Sequence, residues 1–255
     1  MSHSLMLEQL AIEFIQPYQD RPTIIFLHDS LGCIRLWRDF PKKLGEATQC
    51  NVLIYDRQGY GQSCHFSYDK RTINYMEDEA DLLNHLIDHL QLKDVILFGH
   101  SDGGSIALIA AGKYPEKIKA IITEGAHIFV EDITIAGIQE AITLFKDTDL
   151  KSKLNKYHGE KTDPLFRAWT DTWTNPFFRE WNIETFLPHI QCPALIIQGE
   201  DDEYGTLEQV YRTTRGIGAK ASALIIPNVK HTPHKEVEEL VIERSAGFII
   251  ETLNN

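Results

Sequence analysis

The 255-residue sequence predicts a doubly wound, mostly parallel α/β sheet that carries one helical insertion. Three observations predict it. Short β-rich apolar runs alternate with longer segments of helical period, the pattern of successive β-α units. Most of these runs are continuously apolar rather than alternating, which suits strands buried on both faces of a parallel sheet. One interval, residues 128–188, interrupts the rhythm and shows helical pattern only.

In chain order, the predicted strands are Thr23–Leu27, Asn51–Tyr55, Val95–Phe98, Ile118–Ile122, Ala194–Ile197 and Leu224–Ile226. Between and after them lie helices over Leu36–Ala47, Thr72–Leu90, Ser101–Lys113, Leu207–Gly216 and Lys235–Leu253. In the second of these, Ala80, Leu83, Leu86, Ile87 and Leu90 recur at helical spacing. The first apolar stretch, Leu5–Ile15, has no helix before Thr23 and reads as one or two antiparallel strands on the sheet edge. The interval 128–188 holds 10 of the chain's 25 aromatic residues, with Trp169 and Trp173 one helical turn apart on a shared face. It reads as a helical lid over one end of the sheet, lined in part by these tryptophans. The core is then residues 1–127 and 189–255, a single domain with an insertion.

Composition narrows the function. The formal net charge of -12 disfavours phosphate backbones and anionic membranes, so neither a nucleic acid nor a membrane is an expected partner. No apolar run approaches the ~20 residues that cross a bilayer, and Met1–Leu10 lacks the pattern of a secretory signal. The four cysteines, Cys33, Cys50, Cys64 and Cys192, have no CxxC or metal-ligand spacing. They read as reduced thiols of a cytoplasmic protein, and no metal is expected.

The strongest chemical signal is Gly99-His100-Ser101-Asp102-Gly103, which follows a predicted strand and opens a predicted helix. This is the G-x-S-x-G nucleophile elbow in the strand-turn-helix context it requires. A serine nucleophile needs a base, and the base needs an orienting acid. Both are expected on loops after later strands, in the order Ser, Asp, His. Gly199-Glu200-Asp201-Asp202-Glu203 follows one such strand, and spacing alone leaves Asp201, Asp202 and Glu203 open. The loop after the last strand offers His231 and His234. His127 and Glu124, just past the strand Ile118–Ile122, border this region but are left outside the site.

The segments "GHSDGGSIALIAAGKYP" (99–115) and "CPALIIQGEDD" resemble the valacyclovir hydrolase branch of serine esterases, "HTPHKE" is similar to the histidine loop of lid-bearing members, and the chain resembles the α/β-hydrolase superfamily over nearly its whole length. The resemblance implies an α/β-hydrolase fold and serine esterase chemistry without a cofactor. Its G-x-x-D offset implies Asp202 as the acid, and its first loop histidine implies His231 as the base. The oxyanion donors it implies are the backbone N–H groups of Asp102 and of Ser30, the latter in His28-Asp29-Ser30-Leu31-Gly32. This chain departs from the family in Asp29, where glycine is usual, in Lys230 before His231, and in Glu203-Tyr204-Gly205-Thr206 after Asp202. Asp56-Arg57-Gln58-Gly59-Tyr60-Gly61-Gln62-Ser63 resembles the superfamily's D-x-R-G-x-G-x-S loop, whose role is structural.

Ser101 is thus expected to form an acyl-enzyme on a small-molecule ester, with His231 as base and Asp202 as its orienter. In the resembling branch, an aspartate after the serine goes with esters of amino acids that carry a free α-amino group. Asp102, Trp169 and Trp173 are the expected substrate-binding residues, unless the Asp102 side chain is bound to local backbone or a neighbouring basic group. A carbon–carbon bond hydrolase or lactonase would use the same three residues. A small-molecule receptor with vestigial turnover is the rival from another class. The oligomeric state is not legible.

Overall fold

The structure is a computed structural model that describes residues 7–68 and 70–254. The expectations for residues 1–6, including the start of the Leu5–Ile15 stretch, lie outside the described residues. Among the described residues, seven strands form one sheet: β1 (Ile12–Ile15), β2 (Thr23–Leu27), β3 (Asn51–Tyr55), β4 (Val95–His100), β5 (Ile118–Glu124), β6 (Ala194–Gly199) and β7 (Ala221–Ile226). Their order is β1-β3-β2-β4-β5-β6-β7. Only β1 is antiparallel, pairing Ile12 with Tyr55 and Ile15 with Val52. The remaining pairs are parallel. The early apolar stretch therefore supplies a single described edge strand.

Side chains alternate across a strand, so each strand feeds two cores. Ile25, Leu27, Leu53, Leu97, Ile121 and Ile196 enter the core on one face. Ile24, Phe26, Val52, Ile54, Ile96, Phe98 and Ile197 enter the other. The first face is covered by α2 (Tyr75–His89), α3 (Asp102–Lys113) and α7 (Glu208–Ile217), the second by α1 (Phe40–Thr48) and α9 (Glu238–Asn254). The predicted face of α2 is buried at Ala80, Leu83, Leu86 and Ile87.

Three elements differ from the sequence expectation. The helix expected over Leu36–Ala47 is a 3-10 turn, Ile34–Trp37, followed by α1. Arg38 between them has φ 53, and Pro41, which has no N–H to donate, sits in the first turn of α1 rather than inside a longer helix. The terminal helix is divided at Val237 into a single turn, α8 (Pro233–Glu236), and α9. Strand β7 begins three residues before Leu224. Its Ala-Ser-Ala start carries no apolar run because this strand lies at the sheet edge and is partly exposed.

Strands β4 and β5 also run on past their apolar stretches, pairing Gly99 with Thr123 and His100 with Glu124. This extension carries polar side chains to the carboxyl edge of the sheet, where ligand sites of open α/β sheets form. Between β5 and β6 the chain forms α4 (Asp132–Asp147), α5 (Leu150–His158), α6 (Thr162–Trp173) and 3-10 turns at Gly159–Lys161, Pro176–Glu180 and Glu184–His189.

Candidate active site

Ser101 joins β4 to α3 with φ 54 and ψ -120, a left-handed conformation that costs a non-glycine residue of order 1–3 kcal/mol. The surroundings enforce it. The Ser101 N–H donates to the Glu124 carbonyl at 2.8 Å. A Cβ on Gly103 would stand 2.0 Å from the Leu27 carbonyl oxygen, and one on Gly99 would stand 2.2 Å from the Gly103 oxygen. Only glycine permits strand and helix to approach this closely.

Ser101 opens into a cavity of about 250 Å³ that Ser30, Asp102, Trp169, Trp173 and His231 also line. Asp29, His127, Thr134, Ile138, Glu203 and Tyr204 contribute to the same wall. Asp202 stands behind His231: the imidazole Nδ1 lies 2.9 Å from each of its carboxylate oxygens. A carboxylate only accepts, so Nδ1 carries the proton and Nε2 of the neutral ring is unprotonated. Asp202 is buried and its Oδ1 also accepts the Tyr204 N–H at 2.9 Å. Asp201 is exposed.

Electrostatics bind the two groups together. Burial works against the charge on Asp202, yet His231 and the Tyr204 N–H outweigh it and hold the carboxyl below its ordinary range. Burial likewise works against the His231 imidazolium, but Asp202, Glu203 and Asp29 outweigh it and raise its pKa. The backbone of His231 is fixed from both sides, its N–H donating to Glu203 Oε2 at 3.2 Å and its carbonyl accepting from His100 Nε2 at 2.9 Å.

His234 does not line this cavity. Its Nδ1 meets Glu124 Oε2 at 2.6 Å, and its ring packs on Trp37 and Phe40 with centroids 4.7 and 5.4 Å apart. Burial pushes His234 down to about 3 and Glu124 up to about 7.

Asp102 lines the cavity, but its carboxylate is committed elsewhere. Tyr75 donates its hydroxyl to Oδ2 at 3.1 Å, and Arg57 Nη1 lies 3.8 Å from the same oxygen. The neighbouring basic group weighed from the sequence is therefore present. The carboxylates that sequence reasoning did not assign to the cavity are Asp29 and Glu203, and the unassigned imidazoles are those of His100 and His127. His127 Nε2 faces the Tyr204 carbonyl at 3.1 Å and its ring meets Trp173 edge-on. Position beyond a strand end was the available signal for His127. Among the described residues, no group of three or more His, Cys, Asp or Glu side chains is disposed to hold a metal ion.

The crossover order of the sheet, with a strained serine turn after its central strand and a carboxylate–histidine pair on the loops after β6 and β7, defines an α/β-hydrolase-fold protein. The profile of the α/β hydrolase fold family matches residues 22–141, and the chain is similar to that family over this stretch. It is similar to serine hydrolase BPHL of Homo sapiens, 32% identical over 160 residues, which cover 59% of this chain and 53% of that protein. The chain thus spans about half the length of this mammalian relative. It is also similar to the uncharacterized hydrolase YugF of Bacillus subtilis (strain 168), 27% identical over 92% of this chain and 93% of that one. Among solved structures, MGS-M2, an α/β hydrolase from a Medee basin deep-sea metagenome library, superposes with a TM-score of 0.75 at 20% identity, covering 94% of this chain and 93% of that one. That likeness is one of fold.

Proposed function

We propose that this protein is a serine hydrolase that cleaves a small carboxylic ester through an acyl-enzyme on Ser101. The observation that carries the reading is the pairing of buried Asp202 with His231, whose imidazole shares one cavity with a serine held in a strained turn. The similarity to a relative named as a serine hydrolase supports it.

In the proposed mechanism, His231 Nε2 takes the Ser101 hydroxyl proton as Oγ attacks the ester carbonyl. Asp202 holds the tautomer and stabilises the imidazolium that forms. The backbone N–H groups of Ser30 and Asp102 stabilise the oxyanion of the tetrahedral intermediate. His231 then gives its proton to the leaving alcohol and activates the water that releases the acid. The helices of residues 128–188 act as a lid, with Trp169 and Trp173 against the apolar part of the substrate. A cavity of about 250 Å³ suits a small ester, being below the size common for drug-like ligands. The four free cysteines agree with a reducing, cytoplasmic setting. Among the described residues, no helix is long and apolar enough to cross a membrane.

The test is Ser101→Ala. The variant should keep its fold, lose ester turnover, and fail to react with a fluorophosphonate that labels the wild type. Equal labelling of both proteins would overturn the assignment. Saturating turnover of a short-chain ester by the wild type separates the enzyme from a receptor that merely retains its ligand.

A further inference from the structure

Arg57 belongs to a sequence motif that the proposed chemistry does not use, yet it is completely buried, 0% exposed, directly behind the site. Its Nη2 donates to the carbonyl oxygens of His28 at 3.2 Å and of Asp29 at 2.9 Å. Its Nη1 lies 3.8 Å from Asp102 Oδ2, and its guanidinium stacks over the Tyr60 ring at 4.8 Å. One cation therefore touches both segments that flank the serine: the loop after β2 and the first residue of α3.

The proton arrangement around it follows from its partners. The Arg57 backbone N–H must donate, and it meets His28 Nε2 at 3.1 Å, so that nitrogen accepts. Burial and the Arg57 charge keep the His28 imidazole neutral. The remaining proton is then on Nδ1, which donates to the Asp29 carbonyl at 2.7 Å. The Asp29 oxygen thus receives Arg57 and His28 together, with Gly32 N–H at 3.3 Å as a third donor.

A peptide unit is planar and trans, so fixing the Asp29 carbonyl also fixes the Ser30 N–H, which points the opposite way. The Ser101 carbonyl is held in the same manner by Gly104 N–H at 2.8 Å and Ser105 N–H at 3.1 Å, which fixes the Asp102 N–H. The two peptide planes differ in one respect. The first is held by a buried cation, which polarises the amide through its carbonyl and makes its N–H a stronger donor.

We infer that Arg57 is a positioning residue for the oxyanion donors: its guanidinium orients and polarises the Asp29–Ser30 peptide and clamps the Asp102 segment against it. The inference rests on the serine-hydrolase reading. It makes Arg57 matter more to the tetrahedral intermediate than to the bound ester, because negative charge develops beside Ser30 N–H only after attack.

The experiment compares wild type with Arg57→Lys and Arg57→Met. It measures kcat and KM on a neutral short-chain ester, the affinity of a small alkylboronic acid that forms a tetrahedral adduct with the serine, and thermal melting as the check on folding. Lys keeps a charge but cannot span two carbonyls and a carboxylate at once, so the test survives a Met variant that fails to fold. Losing one oxyanion donor costs about 10²- to 10³-fold. A folded Arg57→Lys should therefore lose on the order of 10²-fold in kcat, with boronate affinity falling in parallel and KM nearly unchanged. A folded variant with boronate affinity and kcat within about 3-fold of wild type, or with its loss confined to KM, would overturn the inference. Wild-type turnover and fluorophosphonate labelling, lost in Ser101→Ala, report on the underlying reading independently.

Discussion

The carboxylate of Asp202 meets His231 Nδ1 with both oxygens, each at 2.9 Å. Asp201, one residue earlier, is exposed. Asp202→Asn replaces an acceptor by an amide that stabilises the wrong imidazole tautomer, so kcat for a neutral ester should fall by up to ~10⁴. Asp201→Asn should change it less than about 3-fold. Steady-state kinetics of the two variants side by side decides the matter, and a crippled Asp201→Asn would move the acid by one residue.

The raised pKa of His231 fixes the direction of a pH profile. The base works only when unprotonated, so kcat/KM should fall as pH falls, with an inflection above the ordinary histidine value of 6.5. Asp202→Asn removes the charge that opposes burial and should shift that inflection downward. An acid limb centred below 6.5 in wild type, or one unmoved by the substitution, contradicts this electrostatic account.

The two histidines of one loop should separate kinetics from stability. His231→Ala should cost at least about 10³-fold in kcat with little change in melting temperature. His234→Ala should do the reverse. It leaves the buried Glu124 carboxyl without its 2.6 Å partner and empties space beside Trp37 and Phe40, a loss of about 2–4 kcal/mol. Paired melting curves and kcat values test this, and a His234→Ala protein that is stable but inactive would reverse the assignment.

Of the two carboxylates beside the oxyanion donors, Asp29 presents more of its side chain to the cavity than Asp102. The Asp29 side chain is 24% exposed and lines the cavity, whereas that of Asp102 is 2% exposed and faces Arg57. Burial opposes the Asp29 charge, but His100 and Lys235 hold its carboxyl well below the usual range, so it is ionised. Among the described residues, neither Lys nor Arg lines the cavity. Asp29→Asn is a mild change: Asn Oδ1 can still accept the Leu31 N–H, and its amide can donate to a neutral His100. It should lower the ratio of kcat/KM for an aminoacyl ester to that for a neutral isostere by roughly 5- to 30-fold, or about 1–2 kcal/mol. Asp102→Asn should leave that ratio within about 2-fold and lower the melting temperature, because it removes one of the negative charges facing the buried Arg57 guanidinium. The opposite pattern would return the role to Asp102.

Gly103→Ala tests the close approach under the serine. Its Cβ would stand 2.0 Å from the Leu27 carbonyl oxygen, part of the backbone, which a rotamer change cannot relieve. A loss of about 3 kcal/mol or more is expected, read as a lowered denaturant midpoint. A variant as stable as wild type would show that strand and helix are less tightly apposed than described.

By itself the sequence determined what local chemistry encodes. Continuous apolar runs gave β2 and β3 their observed bounds, and helical periodicity marked the buried face of α2, because both signals arise within one element. The glycines around Ser101 announced the turn, since its sterics rule out larger residues at Gly99 and Gly103. The edge strand β7 was only half legible, because partial exposure removes the apolar run that reveals a buried strand. Tertiary structure alone decided where side chains point. Asp201, Asp202 and Glu203 are nearly equivalent in sequence, and burial against His231 distinguishes them. His231 and His234 are three residues apart, yet one lines the cavity and the other pairs with Glu124, 110 residues away. Asp102 has Arg57 and Tyr75 against its carboxylate, both brought in from distant segments. Such contacts join residues far apart in the chain, and their energies depend on a packing that no local pattern specifies.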